Sequence, residues 1–234
     1  MQRYRVWDLP TRVFHWALAL CVAGSFVTVK IGGNAMVWHG RIGLAVLGLL
    51  VFRIVWGFIG STHSRFVQFV RGPATIKAYL RGEWQGAGHN PLGALSVLAM
   101  LGTLALQAAT GLFANDDIAF EGPLYALVGK EISDRVVSIH RLIEPLIIAL
   151  VLTHLAAIFY YVRFKKETLI APMVTGWKVM RSGIHADGAG ETARGGGFIA
   201  FVFALTIALG AVYGASGAWI QAPPSESSLA TPSW

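Results

Sequence analysis

Five apolar stretches, each long enough to cross a lipid bilayer, restrict this 234-residue chain to very few folds. They fall at about residues 12–30, 38–59, 92–114, 137–163 and 198–220, and a hydrocarbon core of about 30 Å needs roughly 20 such residues in a helix. A membrane interior offers no water to an open backbone, so only helices or closed barrels span it. Runs of this length and apolarity read as membrane-spanning helices. The chain therefore reads as an all-α integral membrane bundle. Its 55% hydrophobic and 13% charged residues agree with that class. The formal charge of +7 is carried by Lys and Arg flanking the spans, where they act as topology signals, so no nucleic-acid partner is inferred.

The one cysteine, Cys21, lies inside an apolar run, which excludes a disulfide or an iron–sulfur cluster held by this chain alone. There is no CxxCH motif for covalent haem attachment. The start, MQRYRVWDLPTRVFHW, has no short apolar core followed by a small-residue cleavage site, and it reads as a retained end.

Basic residues give the orientation. With the N-terminus inside, one side carries Arg3, Arg5, Arg12, Arg65, Arg71, Lys77, Arg81, Arg163, Lys165, Lys166, Lys178, Arg181 and Arg194. The other carries Lys30, Arg41, Lys130, Arg135 and Arg141. The positive-inside rule then predicts a multi-pass membrane protein with a cytoplasmic N-terminus and its C-terminus on the opposite side.

Four of the seven histidines occupy matched depths on that layout. His15 starts the first span and His39 the second, while His140 and His154 share the fourth, fourteen residues apart. At 3.6 residues per turn and 1.5 Å per residue, the latter two project about 40° apart and about 21 Å apart in depth. Depth pairs His39 with His140 near the outer side and His15 with His154 near the inner side. Two neutral imidazoles can hold a haem iron from both faces and leave no open position for oxygen or substrate. The pattern predicts two haem groups with bis-histidine ligation, one at each depth.

Other polar residues are weaker candidates. Arg53 lies fourteen residues after His39, at the depth of His154; a charge there needs a partner, which is either a propionate of the inner haem or the inner membrane surface. Arg12, one turn before His15, has a similar choice of roles. Glu144, one turn after His140, either shapes a proton path or quinone pocket or bonds to Arg141 or another helix. Gly43, one turn after His39, makes room for a flat macrocycle or for a neighbouring helix. Asn90 and Pro91 look like a helix N-cap and first helical residue. His63 and His89 read as loop residues, His185 has no assigned role, and no side chain reads as an acid–base catalyst.

The strings VWDLPTRVFHW, WHGRIGL, FRIVWGFIGSTHSRF, GHNPLGALSV, QAATGLF and H-x13-H with a downstream MVTGWK occur in that order. Over roughly residues 4–180 they resemble the bacterial cytochrome b561 family, related to the b-type cytochrome subunit of nickel–iron hydrogenases. The resemblance implies a four-helix haem-binding bundle with two non-covalent b haems, ligated at His15, His39, His140 and His154. It also implies electron transfer between a quinone pool and another redox carrier. On this reading residues 1–165 form the di-haem core, 166–196 a cytoplasmic Gly-rich linker, 197–221 a fifth C-terminal transmembrane helix and 222–234 a periplasmic tail. The fifth span departs from the family's four-helix pattern, and its GASGA segment offers small residues for packing.

Two versions of the function follow. One is a stand-alone quinone-linked oxidoreductase that exchanges electrons with a periplasmic c-type cytochrome or with superoxide. The other is the membrane anchor of a hydrogenase-like multisubunit enzyme. A third class, a non-redox transporter or assembly protein with structural or zinc-binding histidines, fits less well. The histidines are separated in depth, and no inverted internal repeat is visible.

Overall fold

The computed structural model describes residues 2–70, 72–83, 90–180 and 195–220. Five helices carry the spans: α1 (Leu9–Ile31), α2 (Ala35–Ile59), α5 (Pro91–Gly111), α6 (Gly129–Arg163) and α8 (Phe198–Ala215). Two short helices, α3 (Phe66–Phe69) and α4 (Pro73–Leu80), lie between α2 and α5. After α6 come α7 (Ile170–Thr175) and strand β2 (Trp177–Met180), which pairs antiparallel with strand β1 (Gln2–Arg5). The fold is an all-α membrane bundle with this one small ribbon.

Local chemistry sets the helix ends. Asp8 caps α1 by accepting the Thr11 backbone N–H at 2.6 Å, with Pro10 in the first turn. Gly32, at a φ of +67° that disfavours a side chain, ends it. Asn90 caps α5 in the same way, accepting from Gly93 N–H at 2.6 Å. Helix α6 has 35 residues, about 52 Å at 1.5 Å each, and so exceeds the ~30 Å hydrocarbon core. It starts at Gly129, before the apolar run at 137, because its polar first turns pair with themselves: Arg135 meets Glu131 at 2.7 Å and Lys130 meets Asp134 at 3.2 Å. Helix α8 stops at Ala215, short of the expected 220, with Gly217 at a φ of +69° just beyond.

Within the expected linker 166–196, residues 170–180 carry regular structure. Its first part folds as α7 and β2, tying the chain after α6 to the N-terminal strand. The alternating Trp177-Lys178-Val179-Met180 is strand-like on a scale too short to register against the long apolar runs. Residues 181–194, with His185, lie outside the described residues, as do His89 and the tail from 221.

Helix α2 is central, with α1, α5 and α8 packed on it. Phe52 and Trp56 stack with ring centres 5.8 Å apart, and Phe201 of α8 meets both edge-on. Buried Ala204 and Ala208 let α8 come close. At Gly48 an added Cβ would lie 2.7 Å from Val212 Cγ2, so only glycine permits that approach. Among the spans α6 packs closely on α5 alone; it stands off from α1 and α2. The bundle thus has a seam between α6 and the α1–α2 pair.

Candidate functional site

Histidines bridge that seam. The structure brings His15 of α1 to His154 of α6, and His39 of α2 to His140 of α6, each pair with ring centres 6.4 Å apart. The ring planes cross at 51° and 81°. If an imidazole nitrogen sits about 2.0–2.1 Å from its metal, as at zinc, and about 1.2 Å from its own ring centre, two rings on one ion have centres about 6.4 Å apart. Both pairs have that spacing. Among the described residues no three His, Cys, Asp or Glu side chains group around one point, so the rings are not arranged for a zinc-type cluster.

The surroundings of the α5–α6 loop-end pair are well defined. His39 Nδ1 lies 3.0 Å from the Ser25 carbonyl oxygen. A carbonyl only accepts, so Nδ1 carries the proton and Nε2 keeps its lone pair. His140 Nδ1 lies 3.0 Å from both the Gln107 carbonyl oxygen and Thr110 Oγ1. Its Nε2 accepts from the Gln107 side-chain amide at 3.0 Å, a bond that a metal at Nε2 would replace. A cavity lies beside these rings, lined by Gly40, Gly43, Gly111 and Glu144 among others. At Gly43 an added Cβ would meet nothing within 4 Å, so the residue borders open space. At Gly111 it would come within 3.2 Å of His140 Cε1. Gly43 thus leaves space beside the rings, whereas Gly111 lets the His140 ring lie close. Glu144 pairs with Lys30 of α1 at 3.5 Å, which makes it a link to a neighbouring helix.

The N-terminal-end pair is held differently. His15 Nδ1 is buried with no hydrogen-bond partner among the described residues, and the ring meets Trp16 edge-on at 5.1 Å. Arg12 donates to the Val174 carbonyl at 2.5 Å, toward α7 rather than along the seam.

Arg53 is buried, with 3% exposure, and its guanidinium lies over the Phe66 ring at 5.0 Å and the Phe69 ring at 5.9 Å. Its Nη1 is buried without an acceptor among the described residues. The carboxylate acting on it through space is Asp8. Asp8 itself accepts from Thr11 N–H, from Trp56 Nε1 at 3.2 Å, from Ser64 Oγ at 2.8 Å and from Ser61 Oγ. Burial works to raise the Asp8 pKa, but the hydrogen bonds from Ser61, Thr11 and Ser64 outweigh it and hold the carboxyl below its ordinary value. This knot joins the start of α1 to the end of α2 and to the segment before α3. The charge of Arg53 pointed to a partner; Asp8 gave no comparable signal beyond its place as a polar residue just before a proline-containing helix start.

The family model of prokaryotic cytochrome b561 matches residues 6–176. The chain belongs to the prokaryotic cytochrome b561 family. It is therefore a membrane b-type cytochrome, an electron-transfer protein whose cofactor is haem b. Two curated relatives, each named "Probable Ni/Fe-hydrogenase 1 B-type cytochrome subunit", come from Escherichia coli strain K12 and Escherichia coli O157:H7. Each is 25% identical over 219 aligned residues, covering 76% of this chain and 92% of the relative. No solved structure gives a significant match.

The matched region of this b561 cytochrome takes in α1 to α7 and both histidine pairs but stops before β2 and α8. Helix α8 lies against α2 and leaves the histidine seam alone. The residues that sequence reasoning passed over are Ser25, Gln107 and Thr110 around the rings. Gln107 and Thr110 stand in the QAATGLF string, but helical spacing within one span does not reveal which histidine of another span they touch.

Proposed function

We propose that the chain holds two b haems, one between His15 and His154 and one between His39 and His140, and carries electrons across the membrane between the quinone pool and a second redox carrier. The observation that carries this reading is the equal 6.4 Å spacing of two imidazole pairs across a seam that the helix packing leaves open. When bound, each haem supplies a reversible one-electron iron couple. The chain's own residues do the rest. Each pair of rings would hold one haem iron from both sides and so keep oxygen and substrate off it. Arg53, whose buried Nη1 has no acceptor among the described residues, offers a donor to a propionate at the N-terminal end. The Lys and Arg distribution supports a cytoplasmic N-terminus in the inner membrane. Residues 1–165 form the di-haem unit on this reading, with α8 as an added span.

The test is a reduced-minus-oxidised spectrum of the purified full chain with a pyridine haemochrome assay. Two haem b per chain are expected; one breaks the pairing scheme and none ends it. Arg53→Leu should disturb the haem at the His15–His154 end more than the other.

The names of the two relatives favour one particular partner, a hydrogenase-like enzyme for which this chain is the membrane cytochrome subunit. Copurification of a large soluble redox subunit tests that version. A stable, quinone-reactive chain on its own favours the stand-alone oxidoreductase, with a c-type cytochrome as its other partner.

A further inference from the structure

His140 is the best-tethered of the four rings. Thr110 is 8% exposed, and its hydroxyl hydrogen is used on α5 itself, with Leu106 O at 2.9 Å and Gln107 O at 3.0 Å as acceptors. One Oγ1 lone pair is thereby turned to His140 Nδ1, at 3.0 Å. The Gln107 carbonyl shares the same Nδ1–H. Glycine at 111 lets the ring lie against α5, because any side chain there would press on Cε1.

We propose that Thr110 is a positioning residue: with the Gln107 carbonyl it pins the proton on Nδ1 of His140, fixes the ring's rotation, and lowers the reduction potential of the iron held at Nε2. The physical basis is the outer partner of a metal-bound histidine. A hydrogen bond accepted from Nδ1–H fixes the tautomer and makes the other nitrogen a stronger donor. A stronger donor favours the oxidised, more positive iron. His39 has the same device in the Ser25 carbonyl, whereas the buried Nδ1 of His15 has no partner among the described residues. The two ends of the bundle are thereby set to unequal potentials, with the His39–His140 end the lower. This inference rests on the proposed haem ligation.

The experiment is a spectroelectrochemical titration of the haem-loaded full chain, comparing wild type with Thr110→Val and Thr110→Ser. Valine keeps the shape and removes the acceptor. It should move one midpoint upward, shifting that reduction equilibrium by about three- to tenfold, where tenfold is 59 mV for one electron. The second midpoint and the haem content should stay put, and serine should restore the first. The haem that moves should be the one lost in His140→Ala. Should the valine variant lose haem, Thr110→Ala, which suits a helix better, gives the same readout. Unmoved midpoints in a variant that keeps both haems, or a shift at the His15–His154 end, overturn the role of Thr110 and leave the ligation intact. A wild type without haem overturns the ligation itself.

Discussion

The two histidine pairs share one spacing and almost nothing else. At the His39–His140 end, backbone carbonyls and a threonine hydroxyl hold both Nδ1 atoms, and Gly43 borders open space beside the rings. At the His15–His154 end, the ring of His15 has no such tether among the described residues, and order comes instead from a buried knot seven residues earlier around Asp8. One end is held by bonds to the rings, the other by bonds that place the helix carrying the ring. Equal geometry can therefore be reached by two routes whose weak points lie in different places.

The largest effects come from the rings. His154→Ala should remove the haem at one end and His140→Ala the haem at the other, each halving the pyridine haemochrome yield and leaving one intact spectrum. Loss of both haems from either variant would erase the independence of the two ends.

The next effect separates the two routes. Asp8→Ala strips the acceptor from four donors and leaves buried Arg53 without its opposing carboxylate. Removing one member of a buried charge arrangement costs about 3–5 kcal/mol. A lower thermal midpoint in detergent is expected, with haem lost first from the His15–His154 end. pH gives a gentler version. The Asp8 pKa is lowered in the fold, so its contribution is complete above the ordinary carboxyl range and is lost as pH falls through the depressed value. Acid unfolding of Asp8→Asn should show less pH dependence than wild type; an unchanged profile would remove Asp8 from the account.

At the opposite end the sensitive point is space. Gly43→Leu places a branched side chain where a Cβ now meets nothing within 4 Å. Filling a site that a ligand needs costs about 1–3 kcal/mol, which corresponds to roughly five- to 150-fold weaker retention of the haem at His39–His140. Haem-transfer kinetics to an apo-acceptor would measure it. Equal loss from both ends would mean that Gly43 serves helix packing and not the space beside the rings.

Sequence patterning marked the spans and which histidines would meet, because bilayer thickness and helical rise leave few alternatives. It also marked Asn90 and Pro91 as a helix start. The tethers were not legible in the same way. Thr110 meets His140 thirty residues away, and Asp8 meets Trp56, Ser61 and Ser64 more than forty residues away, contacts that depend on how helices rotate against one another. The length of α6 was missed for a related reason. Apolarity marks where a helix enters lipid, whereas Lys130, Glu131, Asp134 and Arg135 carry the same helix on into water through pairs of their own.

That polar overhang gives the smallest expected effect, and it bears on the same comparison. Arg135 and Glu131 are 76% and 83% exposed, so their pair should contribute no more than about 0.5 kcal/mol. Arg135→Ala should leave the melting profile within that margin and both haem spectra unchanged, because His140 takes its position from α5 and not from the turns that precede it. Ser133, buried in those turns, already anchors them by donating to the Phe113 carbonyl at 2.7 Å. A selective change at the His39–His140 haem would show that the overhang steers α6 about its axis, and the loop end would then depend, like its counterpart, on the placing of a helix.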